Sequence, residues 1–99
     1  MAYKVVVTPG ARKQIEEAVT YYMDHASKKV ALSFLQKYKK SVSEILKIRY
    51  FQIFYFNFRA RLMEKFPYMV FYTIDEERHV IIIKAVFHTS QHPDKYPTK

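Results

Sequence analysis

Apolar residues in the first half of the chain recur with a helical period, and those in the second half do not. Tyr3-Lys4-Val5-Val6-Val7 is rich in β-branched residues and predicts a first strand. Thr8-Pro9 ends it: a threonine can cap a helix, and a proline fits the first helical position, where its missing N–H costs nothing. Ile15, Ala18, Val19 and Tyr22 then follow at i, i+3, i+4, i+7, with Arg12, Lys13, Glu16, Glu17 and Thr20 off that stripe. This helix is expected to end near His25. Ser27 can cap a second one, in which Ala31, Phe34, Leu35, Tyr38, Val42, Ile45 and Leu46 keep the same period. Most of its lysines fall on the other side. So short a connection predicts an antiparallel helical hairpin. Two apolar stripes cannot cover each other fully, so the hairpin needs a sheet to pack on.

After Arg49 the helical spacing is lost. Tyr50 to Phe58 is a dense aromatic run, read as a connection leading into a strand, whose side chains serve either as packing or as a surface that a partner covers. From Phe58 to Lys65 the residues alternate, with Phe58, Ala60 and Leu62 on one side and Arg59, Arg61, Met63 and Lys65 on the other. Pro67 marks a strand boundary or edge. Tyr68 to Ile74 and Val80 to Phe87 are two further strands, joined by the polar turn Asp75-Glu76-Glu77-Arg78. The expected order is a strand, two helices, then three strands: an α+β fold with the hairpin on one face of a mostly antiparallel sheet.

The last strand carries the expectation about faces. Ile81, Ile83, Ala85 and Phe87 are expected to meet the helices, with Val80, Ile82, Lys84, Val86 and His88 on the opposite face. If Arg59, Arg61 and Lys65 point the same way as Lys84, the open face of the sheet is a basic floor edged by His88. That inference depends on register, because a slip of one residue exchanges the faces.

Composition narrows the class. The chain has 99 residues, read as a single domain spanning 1–99, with 49% hydrophobic and 26% charged residues, so it is globular. It has no Cys, which removes disulfides and thiolate metal sites, and one Gly, too few for a glycine-rich phosphate loop. No apolar run reaches the roughly 18 residues of a membrane span, and the apolar stretch at the start is short for a signal peptide, so a cytoplasmic location is expected. Lys and Arg number 17 against 9 acids, a net charge of +8. Such an excess favours polyanionic partners: nucleic acid, an acidic protein or an anionic surface.

The last third resembles a known pattern. Arg61-Leu62-Met63-Glu64-Lys65-Phe66-Pro67-Tyr68, continuing through Met69-Val70-Phe71-Tyr72-Thr73-Ile74-Asp75, is similar to the strand pair of RelE/ParE family toxins. Ala85-Val86-Phe87-His88-Thr89-Ser90-Gln91-His92-Pro93 resembles that family's closing strand and tail, and Thr8-Pro9 with Glu16-Glu17-Ala18 and Tyr21-Tyr22 resembles its first helix. The resemblance runs through nearly the whole chain and is nearer to ParE in its Phe-Pro-Tyr strand pair. It implies the toxin of a bacterial type II toxin–antitoxin (plasmid stabilisation or addiction) module, neutralised by an antitoxin encoded beside it, often through an acidic segment that folds on contact. In the ParE branch the target is DNA gyrase, and nothing is cleaved. In the RelE branch the toxin cuts messenger RNA on the ribosome. At Gln91 this sequence lacks an arginine that relatives often carry, which leaves open a third reading, a non-toxic chain that only binds its antitoxin.

For the RNA-cutting alternative, the 2′-OH attacks the adjacent phosphate, and the protein supplies an acid or base and cations. An imidazole can gain or lose a proton near neutral pH, which makes His88 the candidate acid or base, with Lys84 as a catalytic cation. Arg59, Arg61, Lys65 and Lys84 are the candidate target-binding cations, and Tyr96 can stack on a base. The competing reading is a solvated sheet face with a capping histidine. His88 and His92 have i, i+4 spacing, but Pro93 opposes a helix there and no carboxylate or thiolate completes a shell, so no metal or cofactor is expected.

Overall fold

The computed structural model describes residues 2–90. The elements are β1 (Lys4–Val7), α1 (Pro9–His25), α2 (Lys28–Ile48), β2 (Ile53–Tyr55), β3 (Phe58–Leu62), β4 (Tyr68–Asp75) and β5 (Val80–His88). The helix boundaries follow their caps. Thr8 Oγ1 accepts from the Ala11 amide at 3.2 Å with Pro9 at the first helical position, and Ser27 Oγ accepts from the Val30 amide at 3.2 Å.

The strands form one five-stranded sheet in the order β1-β5-β4-β3-β2. β1 lies parallel to β5, and every other pair is antiparallel. The α+β class and mostly antiparallel sheet agree with the sequence reading; the strand count exceeds it by one. The aromatic run contains a short strand of its own, β2, hairpinned onto β3 through a turn at Phe56-Asn57 in which Phe56 takes φ 52°. β3 ends at Leu62, earlier than expected. Beyond it Lys65 takes φ 68° and Pro67 offers no N–H, while the Met63 amide donates to the Tyr68 carbonyl at 2.9 Å and so closes the turn.

The core sits between the hairpin and one face of the sheet. Ala11, Ile15 and Ala18 of α1 and Phe34 and Ile45 of α2 pack on Val70, Tyr72, Ile81, Ile83 and Val86. Phe34 is fully buried, with the rings of Tyr22, Phe66 and Tyr68 at 5.6, 5.3 and 5.0 Å. The link between the layers is the segment after α2. Arg49 has φ 63°, a conformation costly for a residue with a Cβ. Several bonds hold it there: its amide donates to the Ile45 carbonyl (2.8 Å), its guanidinium to the Leu46 carbonyl (2.9 Å), and its own carbonyl accepts from the Tyr72 hydroxyl at 2.6 Å. The same buried hydroxyl accepts from the Phe51 amide at 3.3 Å.

Tyr72→Phe would leave the Arg49 carbonyl and the Phe51 amide without this partner while keeping the ring's packing. A loss of about 1–3 kcal/mol is expected. Urea unfolding checks it: the midpoint should fall with the slope unchanged.

Candidate functional site

The expected basic floor does not form, and the sheet register says why. Arg59 pairs with Tyr72 and Arg61 with Val70, so both arginines lie on the face that the helices cover. Arg61 Nε donates to Glu44 Oε1 of α2 at 3.2 Å, and its guanidinium lies 4.8 Å from the Phe51 ring. Arg59 donates to the Phe51 carbonyl at 2.7 Å and lies 5.3 Å from the Tyr50 ring. The two side chains pin the segment after α2 to the sheet.

β5 departs from simple alternation. Phe71 pairs with Ala85 and Tyr72 with Ile83, which leaves Lys84 as an extra residue in a β-bulge. Ile81 and Ile83 face the helices as expected. Past the bulge the faces exchange: Val86 joins the helix-side core, and Ala85 and Phe87 pack with Phe58 and Phe71 on the reverse. His88, opposite Tyr68, therefore turns toward α1 and away from the reverse face. The reverse is apolar where cations were expected, with Ala60 and Met69 flanking that cluster. The bulge falls beside the end of β1. Its ladder with β5 stops at Val7 opposite Ile83, and the start of α1 takes over the edge. The Thr8 amide donates to the Ile83 carbonyl (3.1 Å), the Thr8 hydroxyl to the Lys84 carbonyl (3.3 Å), and Gln14 Oε1 accepts from the Val86 amide (2.8 Å).

This exchange creates a cleft between α1 and the end of β5. Gln14, Glu17, Ala18, Tyr21, Tyr68, Val86 and His88 line a cavity of about 230 Å³, and a second depression sharing Tyr21, Tyr68 and His88 is also lined by Tyr22 and Ser90. His88 Nδ1 accepts from the Ser90 amide at 3.1 Å and lies 2.7 Å from the Ser90 hydroxyl. An amide can only donate, so in the neutral ring the proton sits on Nε2. Burial pushes the Tyr22 and Tyr68 hydroxyls above their ordinary range, so both remain neutral donors near pH 7. No lysine or arginine lines this cleft among the described residues. Lys65 is exposed in the β3–β4 turn, and Tyr96 and Gln91 lie outside the described residues.

Two surface networks were not legible as such in the sequence. Glu76, in the polar turn after β4, accepts from the Tyr3 hydroxyl at 2.7 Å and from the Tyr50 hydroxyl at 3.0 Å. It thereby ties the start of β1 and the exit of α2 to the β4–β5 turn. The bond to Glu76 pushes the Tyr3 hydroxyl up to about 12, and the same bond lowers the Glu76 carboxyl. Glu64, from the β3–β4 turn, accepts from Lys40 at 2.6 Å and from Lys37 at 2.9 Å, linking that turn to α2. Long-range pairings of this kind carry no local sequence signal.

With this geometry in view, the comparisons are specific. The family model described as ParE toxin of type II toxin-antitoxin system, parDE, matches residues 5–93. No curated protein sequence matches. Among solved structures, the chain is similar to one of the chromosomal ParDE TA system from P. aeruginosa, with a TM-score of 0.78 at 13% identity, covering 90% of this chain and 98% of that one. It is also similar to one of the toxin-antitoxin complex RelBE2 from Mycobacterium tuberculosis, with a TM-score of 0.58 at 15% identity, covering 89% and 99%. At such identities the two structures speak for the fold. The family match spans most of the chain: this protein belongs to the ParE toxin family of type II toxin–antitoxin systems.

The Glu64 link gives a pH test. The bonds from Lys40 and then Lys37 lower this carboxyl from 4.5 to about 2. A depressed carboxyl contributes stability that is present above its unfolded value and is lost as pH falls through its folded value. The melting temperature should therefore drop between 4.5 and about 2. In Glu64→Gln that part of the dependence should flatten, as thermal melts across the window would show.

Proposed function

We propose that this toxin poisons its target by binding, with DNA gyrase as that target, and that a cognate antitoxin of acidic character neutralises it. The observation that carries the reading is the dispersal of the cations that RNA cleavage would need. Arg59 and Arg61 are engaged on the helix side, and the cleft that holds His88 has no lysine or arginine in its lining among the described residues. Without a cation beside the acid or base, a phosphorane's developing charge would rest on neutral donors alone among the described residues. The family match and the toxin–antitoxin structures similar to this chain support an antitoxin partner. A net charge of +8 favours rapid encounter with an acidic one.

In this reading Lys65, Lys84, His88 and Tyr96 are contact residues for the target, and Arg59 and Arg61 support the scaffold. Expressed without its partner, the chain is expected to arrest growth and to block supercoiling by gyrase, with no new messenger RNA ends in a transcriptome map. His88→Ala and Lys84→Ala should weaken the supercoiling block several-fold. If the chain instead cuts RNA, new 5′ ends appear, and His88→Ala reduces them by about 10²-fold or more, as loss of a general acid or base does. That result would overturn the proposal.

A further inference from the structure

We propose that the outer face of α2 is a docking surface for duplex DNA, held through its phosphates. This inference does not depend on which molecule the toxin poisons. At roughly 100° per residue, Lys28, Lys29, Lys39, Lys40 and Lys47 fall within about 120° of the helix circumference. The buried side chains Ala31, Phe34, Ser41 and Ile45 lie opposite. All five lysines are exposed. Glu44, the helix's sole acid, is turned to Arg61. Lys40 is neutralised by Glu64, and Lys28, Lys29, Lys39 and Lys47 have no carboxylate partner among the described residues.

An ordinary solvated helix face mixes signs, because Glu–Lys pairs one turn apart stabilise it. This face has a single sign. Moreover, Lys28 and Lys29 occupy the first two helical positions, where the helix dipole disfavours cations, and the first turn has no acid. Stability alone does not account for that placement, and a departure from local rules of this kind marks a functional surface.

The chemistry of the face selects its partner. Lysines are flexible point charges suited to phosphates, and this arc has neither arginine forks for reading base edges nor aromatic rings for stacking on single strands. Half-exposed Leu32 is its one large apolar side chain, in a shallow depression with Lys28, Lys29, Ser33 and Gln36. A protein partner would need a better anchor than that. Lys39 is separated from the Lys28–Lys29 pair by about 16 Å of helix rise. That distance suits the two phosphate strands flanking a B-DNA major groove about 12 Å wide. The narrow major groove of duplex RNA offers no equivalent.

Fluorescence anisotropy with a labelled 20-base-pair DNA duplex of arbitrary sequence tests this. With roughly four phosphates neutralised, the slope of log affinity against log salt is expected near about −3.6. The variant Lys28→Gln/Lys29→Gln/Lys39→Gln/Lys47→Gln should bind at least about tenfold more weakly and lose most of that slope. Because these side chains are exposed, circular dichroism and a thermal melt should show it folded. A charge-matched control, Lys4→Gln/Arg12→Gln/Lys13→Gln/Arg78→Gln, removes the same charge elsewhere and should retain most of the affinity. Equal losses in the two variants would reduce the effect to net charge and overturn the proposal. So would absence of binding at low salt, or binding of single-stranded DNA, duplex RNA or poly-glutamate as tight as that of the DNA duplex.

Discussion

The exchange of faces at Lys84 governs what this small sheet presents and what it hides. β1 is four residues long and β5 nine, so the parallel ladder between them runs out at Ile83. The chain then enters α1, whose cap and first turns supply the missing partners through Thr8 and Gln14. The bulge that results turns Val86 into the core and His88 toward α1, and it sends Ala85 and Phe87 to the reverse face. A change of one residue in a period of two is enough to put Ala85 and Phe87 on the reverse face and Val86 and His88 on the helix side.

The arginines of β3 show a second consequence of register. On the helix side of the sheet they meet Glu44, Phe51 and Tyr50, and their charge goes into organising the exit of α2. Tyr72 works on the same segment from below, and Glu76 from the edge through Tyr3 and Tyr50. A backbone that turns through positive φ at Arg49 is thus held from several directions. Among the described residues, five of the lysines left to face solvent lie on α2.

The helices were legible because their signals are local. Thr8-Pro9 and Ser27 are stop-and-start chemistry read within a few residues, and the apolar stripes repeat often enough to be unambiguous. β2 was not, because its hairpin turns on Phe56-Asn57, where an aromatic residue adopts positive φ with no glycine to announce it. His88 could be named as a chemically interesting residue, but its surroundings could not, since the side it faces depends on the end of β1, some eighty positions away along the chain. The grouping of Arg59, Arg61, Lys65 and Lys84 assumed that β3 runs on to Lys65 with its cations on the open face; the pairing of β3 with β4 puts both arginines on the helix side, and the bulge at Lys84 leaves no trace in the hydrophobic pattern of Val80 to Phe87. The α2 lysines were visible as polar positions. Their isolation from acids emerged only when Glu44 and Glu64 were seen to be engaged with Arg61, Lys37 and Lys40.

Both margins of the sheet are short. On one side β1 offers four residues before Pro9 removes the next backbone donor, and it begins with a lysine. On the other, β2 offers three, with an irregular register against β3. A foreign strand laid along either margin finds too few aligned amides and carbonyls to template a growing stack. In a chain so rich in valine, isoleucine and phenylalanine, such short borders limit the template for edge-to-edge pairing.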